Sequence, residues 1–316
     1  MKSSKITLAL HSTVLLGIGV LFPLAATAQS LDASYVVERF DIGEYAQYLA
    51  SDGENIWVTQ HHVNTVTKLR ASDGVILGTF PVGLTPGPIT FDGANMWIAN
   101  TYGGDVSKLR ASDGATLGTF HVGQAPSGIA WDGTNIWVTS FNRYKVTKLR
   151  GSDGAVVGSF PVPKSAGDVL FDGRNIWILT LYDEGQAIKL RPSDGKQIGT
   201  VDIGDELKGM AFDGSKLWVS QYVPGSVHAL VASTGKLQGA FLVPGYNPWG
   251  VAFDGSNIWL CNANTFSATV LRAKDGSTVG TVTLDRQPWE IIYDGTSIWT
   301  TTFNSPSVSK ISRVQE

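Results

Sequence analysis

The chain has 316 residues, 43% of them apolar and 16% charged, with 36 Gly, 13 Pro and 10 Trp. That balance excludes a disordered chain, and a single Cys excludes a disulfide framework or a multi-thiolate metal centre. A formal charge of −3 argues against nucleic acid as the main partner.

In chain order the first feature is a leader. Lys2 and Lys5 precede an apolar run from Val14 to Leu24, and Ala26-Thr27-Ala28 offers a small-x-small cleavage site. Residues 1–28 therefore read as a secretory signal peptide, and residues 29–316 as the mature domain. The apolar segment is too short, and too interrupted by His11, Ser12 and Thr13, for a transmembrane anchor, and no later segment is long enough to span a bilayer. The expected product is an exported, monomeric protein of the periplasm or exterior. Losing Lys2 and Lys5 takes its formal charge from −3 to −5.

Internal repetition dominates everything after the leader. An Asp-Gly turn recurs at Asp52-Gly53, Asp92-Gly93, Asp132-Gly133, Asp172-Gly173, Asp213-Gly214, Asp254-Gly255 and Asp294-Gly295, with spacings of 40, 40, 40, 41, 41 and 40. Four residues after each Gly stands a Trp, from Trp57 to Trp299. A second turn is interleaved, as in Ala71-Ser72-Asp73-Gly74 and Ala111-Ser112-Asp113-Gly114; it weakens to Ser233-Thr234-Gly235 and is absent from the last copy. Within one copy the β-branched and aromatic runs are Gly87–Phe91, Asn95–Asn100, Asp105–Arg110 and Thr116–Val122. Four short strands per 40 residues is the unit of a propeller blade, and seven copies predict an all-β, seven-bladed β-propeller.

The ends predict how the ring closes. The last copy stops at its third strand, Val308–Ile311, while Phe40-Asp41-Ile42-Gly43 matches the fourth-strand endings Phe80-Pro81-Val82-Gly83 and Phe120-His121-Val122-Gly123. The N-terminal strand is thus expected to complete the seventh blade, leaving no open edge.

Residues repeated seven times suit a scaffold better than a site. Gly supplies positive φ in the turns, Asp accepts backbone hydrogen bonds, and the seven Trp pack blade on blade. The recurrent Lys-Leu-Arg, as at Lys68–Arg70 and Lys108–Arg110, is expected to form ion pairs with the turn aspartates rather than a nucleic-acid stripe.

The Asp-Gly-x-Asn-Ile-Trp-Val copies, linked by Gly-Thr-Phe-Pro-Val-Gly, resemble the bacterial exported propellers of the YVTN and NHL-like group, which includes the streptogramin B lyases. The resemblance covers Tyr35 to Ile311. It implies the propeller fold, and for the lyases it implies chemistry by a histidine and paired glutamates near the channel with magnesium. No residue of that lyase motif transfers onto this chain. Of the histidines after the leader, His121 and His228 read as scaffold substitutions. His61 and His62 stand on a candidate functional loop, where an extended segment would point them to opposite faces.

Function is sought where the copies disagree. Four residues before the repeated Asp the series reads Tyr48, Pro88, Gly128, Asp168, Gly209, Gly250 and Glu290. Asp168 and Glu290 stand three blades apart and are expected to face each other across the channel. They are candidates to bind a divalent cation, Ca or Mg, or to move a proton, against the alternative of two solvated acids. One position earlier the series is Gln47, Gly87, Ser127, Gly167, Lys208, Trp249 and Trp289. Trp249, Trp289 and Tyr48 would make an aromatic arc for a small molecule, glycan or peptide, or would pack under the loops at Pro248 and Pro288. Tyr102, Tyr144, Tyr182 and Tyr222 add to the same variable face. The expected function is an exported, non-catalytic binding propeller with a ligand or protein partner at that face. The alternative is a metal-assisted lyase or hydrolase using Glu290, Asp168 and His61 or His62.

Overall fold

A computed structural model describes residues 28–314 apart from 142, 182 and 183, so the leader and Tyr182 lie outside the described residues. Among the described residues the strands form seven antiparallel sheets of four. The second blade runs Pro86–Phe91, Asn95–Asn100, Asp105–Arg110 and Thr116–His121, within one residue of the runs predicted above. No helix among the described residues is long and apolar enough to cross a membrane.

Burial is greatest in the middle of each blade and falls toward the outer edge. In the third blade the second strand, Asn135–Ser140, is buried along nearly its whole length, whereas the fourth, Val156–Pro161, exposes alternate residues as an edge strand does. The innermost strands of neighbouring blades pack around a central channel. Ring closure is as predicted: Tyr35–Asp41 pairs antiparallel with Ser307–Arg313 in unbroken register.

Each Asp-Gly turn does more than reverse the chain. In the third blade Asp132 Oδ1 accepts from the Thr134 and Asn135 amides at 2.9 and 2.6 Å, while Oδ2 accepts from Trp137 Nε1 at 2.7 Å. The other six blades repeat the indole bond at 2.7–2.8 Å. A fully buried Trp thereby keeps its polar atom satisfied, and the turn is tied to the core. Asp132→Ala should therefore cost about 3 kcal/mol, because it orphans a buried indole N–H and two amides. Asp153→Ala, at the exposed second turn, should leave the melting temperature near wild type; equal losses in thermal melts would contradict this division.

The Lys-Leu-Arg expectation holds for the Arg and is incomplete for the Lys. The Arg does pair with the second-turn Asp, as Arg70–Asp73 and Arg150–Asp153 at 2.8 Å, on an exposed rim. The Lys turns inward: Lys68 Nζ lies 3.9 Å from Asp52 of the first turn, donates to the Ala111 carbonyl of the next blade at 2.7 Å and stands over the Trp57 ring. Burial makes a neighbouring carbonyl and a π-face the available partners.

Candidate functional site

The two positions where the copies disagree fall on one structural device. In all seven innermost strands the register shifts at that point, for example between Ala46 and Leu49, Ala166 and Val169, and Pro288 and Ile291. A bulge frees these backbones from the ladder and re-aims their side chains. Hydroxyls two residues after the repeated Trp hold it in place. Thr59, Ser220 and Thr301 accept from the amides of Tyr48, Gly209 and Glu290 at 3.0 Å. Thr139, Ser220 and Thr301 also donate to bulge carbonyls of the next blade, Gly167, Trp249 and Gln47.

Glycine is required where bulges approach. A Cβ on Gly128 would lie 2.5 Å from the Gly167 carbonyl oxygen, and one on Gly250 2.9 Å from the Ile291 amide and 3.1 Å from Glu290 Oε2. The side chains that depart from glycine therefore enter the channel. Tyr48, Pro88, Asp168, Lys208, Trp249 and Glu290 line one cavity of about 320 Å³.

Asp168 and Glu290 come together there as predicted, but they are not freely solvated. Burial, followed by the charge of Asp168, pushes the Glu290 carboxyl up to about 8. Burial raises Asp168 to about 6, against the pull of the Met210 and Val169 amides. Burial and then the charges of Glu290 and Asp168 drive the Tyr48 phenol upward. Three blades thus share one electrostatic neighbourhood. Asp168 also has a structural duty. Its Oδ1 accepts from the Val169 amide at 2.8 Å, and its Oδ2 from the Met210 amide of the next blade at 3.0 Å. In its blade the bulge-holding hydroxyl is replaced by Leu179.

The donor set does not fit a divalent cation, which takes about six oxygens. Both Asp168 oxygens already accept amides, and Glu206 is ion-paired to Lys208 at 2.6 Å. Among the described residues no three His, Cys, Asp or Glu side chains gather as a ligand set.

The aromatic arc exists, but its rings face one another. Trp249 stacks on Trp289 with centroids 3.8 Å apart, and Trp289 stacks on Phe303 at 4.8 Å. Lys208 Nζ stands over Trp249 at 4.8 Å, and Tyr222 meets Trp249 edge-on at 5.7 Å. Both faces of Trp289 are occupied, so this stack is a wall rather than an open platform. Trp289 Nε1 is buried with no hydrogen-bond partner among the described residues. Tyr102 and Tyr144, 81% and 55% exposed, stand away from the cavity lining.

The histidine expectation is also corrected. His61 and His62 occupy a turn, not an extended segment, and their rings meet edge to face at 4.9 Å. Burial, then the His62 charge, lowers His61. His62 packs against Tyr45, and neither imidazole lines the acid cavity. His228 is buried and bonded to Gln221 Oε1 at 2.8 Å, as a scaffold residue would be. Sequence reasoning missed Glu206, Lys208's role as the cap of Trp249, and the bulge hydroxyls. The hydroxyls were visible as a Ser or Thr two residues after most repeated Trp.

No family model and no curated protein matches the sequence. Solved structures do. A catalytically inactive virginiamycin B lyase from Staphylococcus aureus, solved with quinupristin, aligns with a TM-score of 0.77 at 16% identity over 89% of this chain and 100% of that one. A streptogramin B lyase aligns at 0.75 and 18% over 90% and 99%. Hydrazine synthase from Kuenenia stuttgartiensis aligns at 0.73 and 17% over 87% and 96%. Identities this low speak to architecture, and in architecture the chain is a seven-bladed propeller like these structures.

Proposed function

We propose that the protein is a non-catalytic binding propeller whose channel-mouth cavity takes a small molecule. The observation that carries this reading is the convergence of the bulged, non-repeated positions of separate blades on one cavity. Its wall changes from aromatic, at Tyr48 and Trp249, to acidic, at Asp168 and Glu290. A ligand with an apolar or aromatic body and hydrogen-bond donors suits that wall. The leader, if removed as its sequence suggests, places this binding in the periplasm or exterior.

A second reading is favoured by one observation. Near pH 7 a protonated Glu290 beside an ionised Asp168 forms an acid–base couple of the kind that lyases and hydrolases use. Quinupristin, bound in the structurally similar virginiamycin B lyase, is a suitable probe for both readings. The mature protein is incubated with quinupristin, with and without magnesium chloride, and followed by thermal shift and mass spectrometry. A shift without turnover, lost in Trp249→Ala, supports binding. Linearised or cleaved product that disappears in Glu290→Gln supports the enzyme. If quinupristin and a panel of aromatic amines and glycans all leave the melting temperature unchanged, the small-molecule reading fails.

A further inference from the structure

The seven-fold repeat contains its own control for a second site on the opposite face. In blades 1, 2, 3, 4, 5 and 7 a lysine ammonium stands over the buried Trp, 4.6–5.6 Å from the ring centroid. In five of these it donates at 2.6–2.8 Å to a carbonyl of the next blade: Ala111, Gly151, Pro192, Ala232 or Ala71. The fifth blade shows how firmly the position is filled. There the usual lysine is replaced by Ala229, and Lys216, reaching from the second strand, restores both the ring contact and the bond to the Ala273 carbonyl.

The sixth blade has neither lysine. Val270 is the cross-strand partner of Trp259, where Lys68 is the partner of Trp57, and Asn257 stands where blade 5 has Lys216. Among the described residues no ammonium stands over Trp259. A cavity of about 270 Å³ opens there, lined by Trp259, Asp254, Asn257, Tyr35 and Tyr293, with Arg313 at its exposed mouth. The equivalent grooves between blades 4 and 5 and between blades 7 and 1 are walled by Lys189 and by Lys310, not by an indole.

We propose that the groove between blades 6 and 7 binds a primary alkylammonium group, the chemistry with which the other six blades fill this position from within. Its parts match those that hold the internal lysines. Trp259 offers the ring, with Tyr35 set edge-on to it at 5.2 Å as a second aromatic wall. Asp254, which accepts the indole N–H at 2.7 Å, supplies the charge that Asp52 supplies 3.9 Å from Lys68. The carbonyl of Arg313 stands at the position in blade 7 that Ala71 and Ala111 hold in theirs, by the register of the second and third strands. Arg313, whose charge is favoured by Tyr35 and Asp254, lines the same groove, so an entering cation must share Asp254 with it and a slender ammonium on a chain fits that better than a second bulky cation. A free alkylamine and the lysine side chain of a peptide share this chemistry.

The test uses thermal melts of the full mature protein in n-butylammonium chloride or N-acetyl-lysinamide, each against sodium chloride of equal ionic strength. Wild type should rise by about 2 °C near saturation. Val270→Lys should melt above wild type, because the chain then plugs its own slot, and should lose the amine response. Val270→Met, which fills the slot without charge, should lose the response as well, so the proposal stays testable if Val270→Lys does not fold. A larger shift with N-acetyl-lysinamide assigns the site to peptide lysines, and a larger one with n-butylammonium to free amines. No shift in wild type, or equal shifts in wild type and Val270→Met, overturns the proposal. So does failure of both variants to fold, since the slot would then not exist.

Discussion

A mature chain that begins at Gly43 should melt far below the intact protein or lose its cooperative transition. The deleted strand supplies the whole outer ladder of the seventh blade, from Tyr35 opposite Arg313 to Asp41 opposite Ser307. It also carries Phe40, stacked on Trp299 with centroids 5.5 Å apart, and Ile42, buried with Ala46, Leu49 and Val308. Phe40 fits against Gly74 in the second turn of blade 1, as Phe80 fits against Gly114 and Phe120 against Gly154. Truncation therefore opens an edge and empties the notch that locks blade 7 to blade 1. Loss of one aromatic and one aliphatic core side chain with their ladder is worth about 5 kcal/mol or more, a large share of a typical domain's stability. Phe40→Ala alone should give an intermediate loss. A truncated chain with an unchanged melting temperature would show that the ring closes by other means.

The second large effect is a fall in stability with rising pH, centred on Glu290. Its folded carboxyl titrates at about 8, above the ordinary 4.5. Below pH 4.5 the group is protonated in both states and costs nothing. Between there and about 8 the unfolded chain releases its proton while the folded chain keeps it, so each step upward favours unfolding until the folded group also ionises. Asp168 acts in the same direction over a lower window, from 3.8 to about 6. A shift of this size corresponds to a few kcal/mol at most, with the two acids acting as one coupled system. The melting temperature should therefore decline between pH 5 and 8, and Glu290→Gln should flatten the upper part of that decline and melt above wild type at pH 8. Parallel wild-type and variant curves would mean that Glu290 is solvated and titrates normally.

The blades were legible because their signals are local. Asp-Gly marks a turn through the backbone freedom of Gly133 or Gly173, and alternation of β-branched and aromatic residues marks the strands. The closure was legible because Phe40-Asp41-Ile42-Gly43 copies an ending found in other blades. The candidate site was half legible. Comparing copies isolated Asp168, Glu290, Trp249 and Lys208, since a position that breaks a repeat is visible without coordinates. The extended geometry assumed for His61 and His62 failed, because the sequence did not show that the chain turns over residues 61–64 between the strands that end at Gln60 and begin at Thr65.

The sequence by itself determined the number of blades, their order and the identity of the residues that depart from the common unit. Tertiary structure decided what those departures do. Only the bulge in each innermost strand turns them into one channel, only the Trp249–Trp289–Phe303 stack shows that the indoles cover one another, and only the next blade's carbonyl explains a buried lysine. The physical reason is the same in each case. Turns and strands follow from interactions between residues close in the chain, whereas burial, charge coupling and the choice of hydrogen-bond partner depend on neighbours about 40 residues away or, at the ring's seam, at the other end of the molecule.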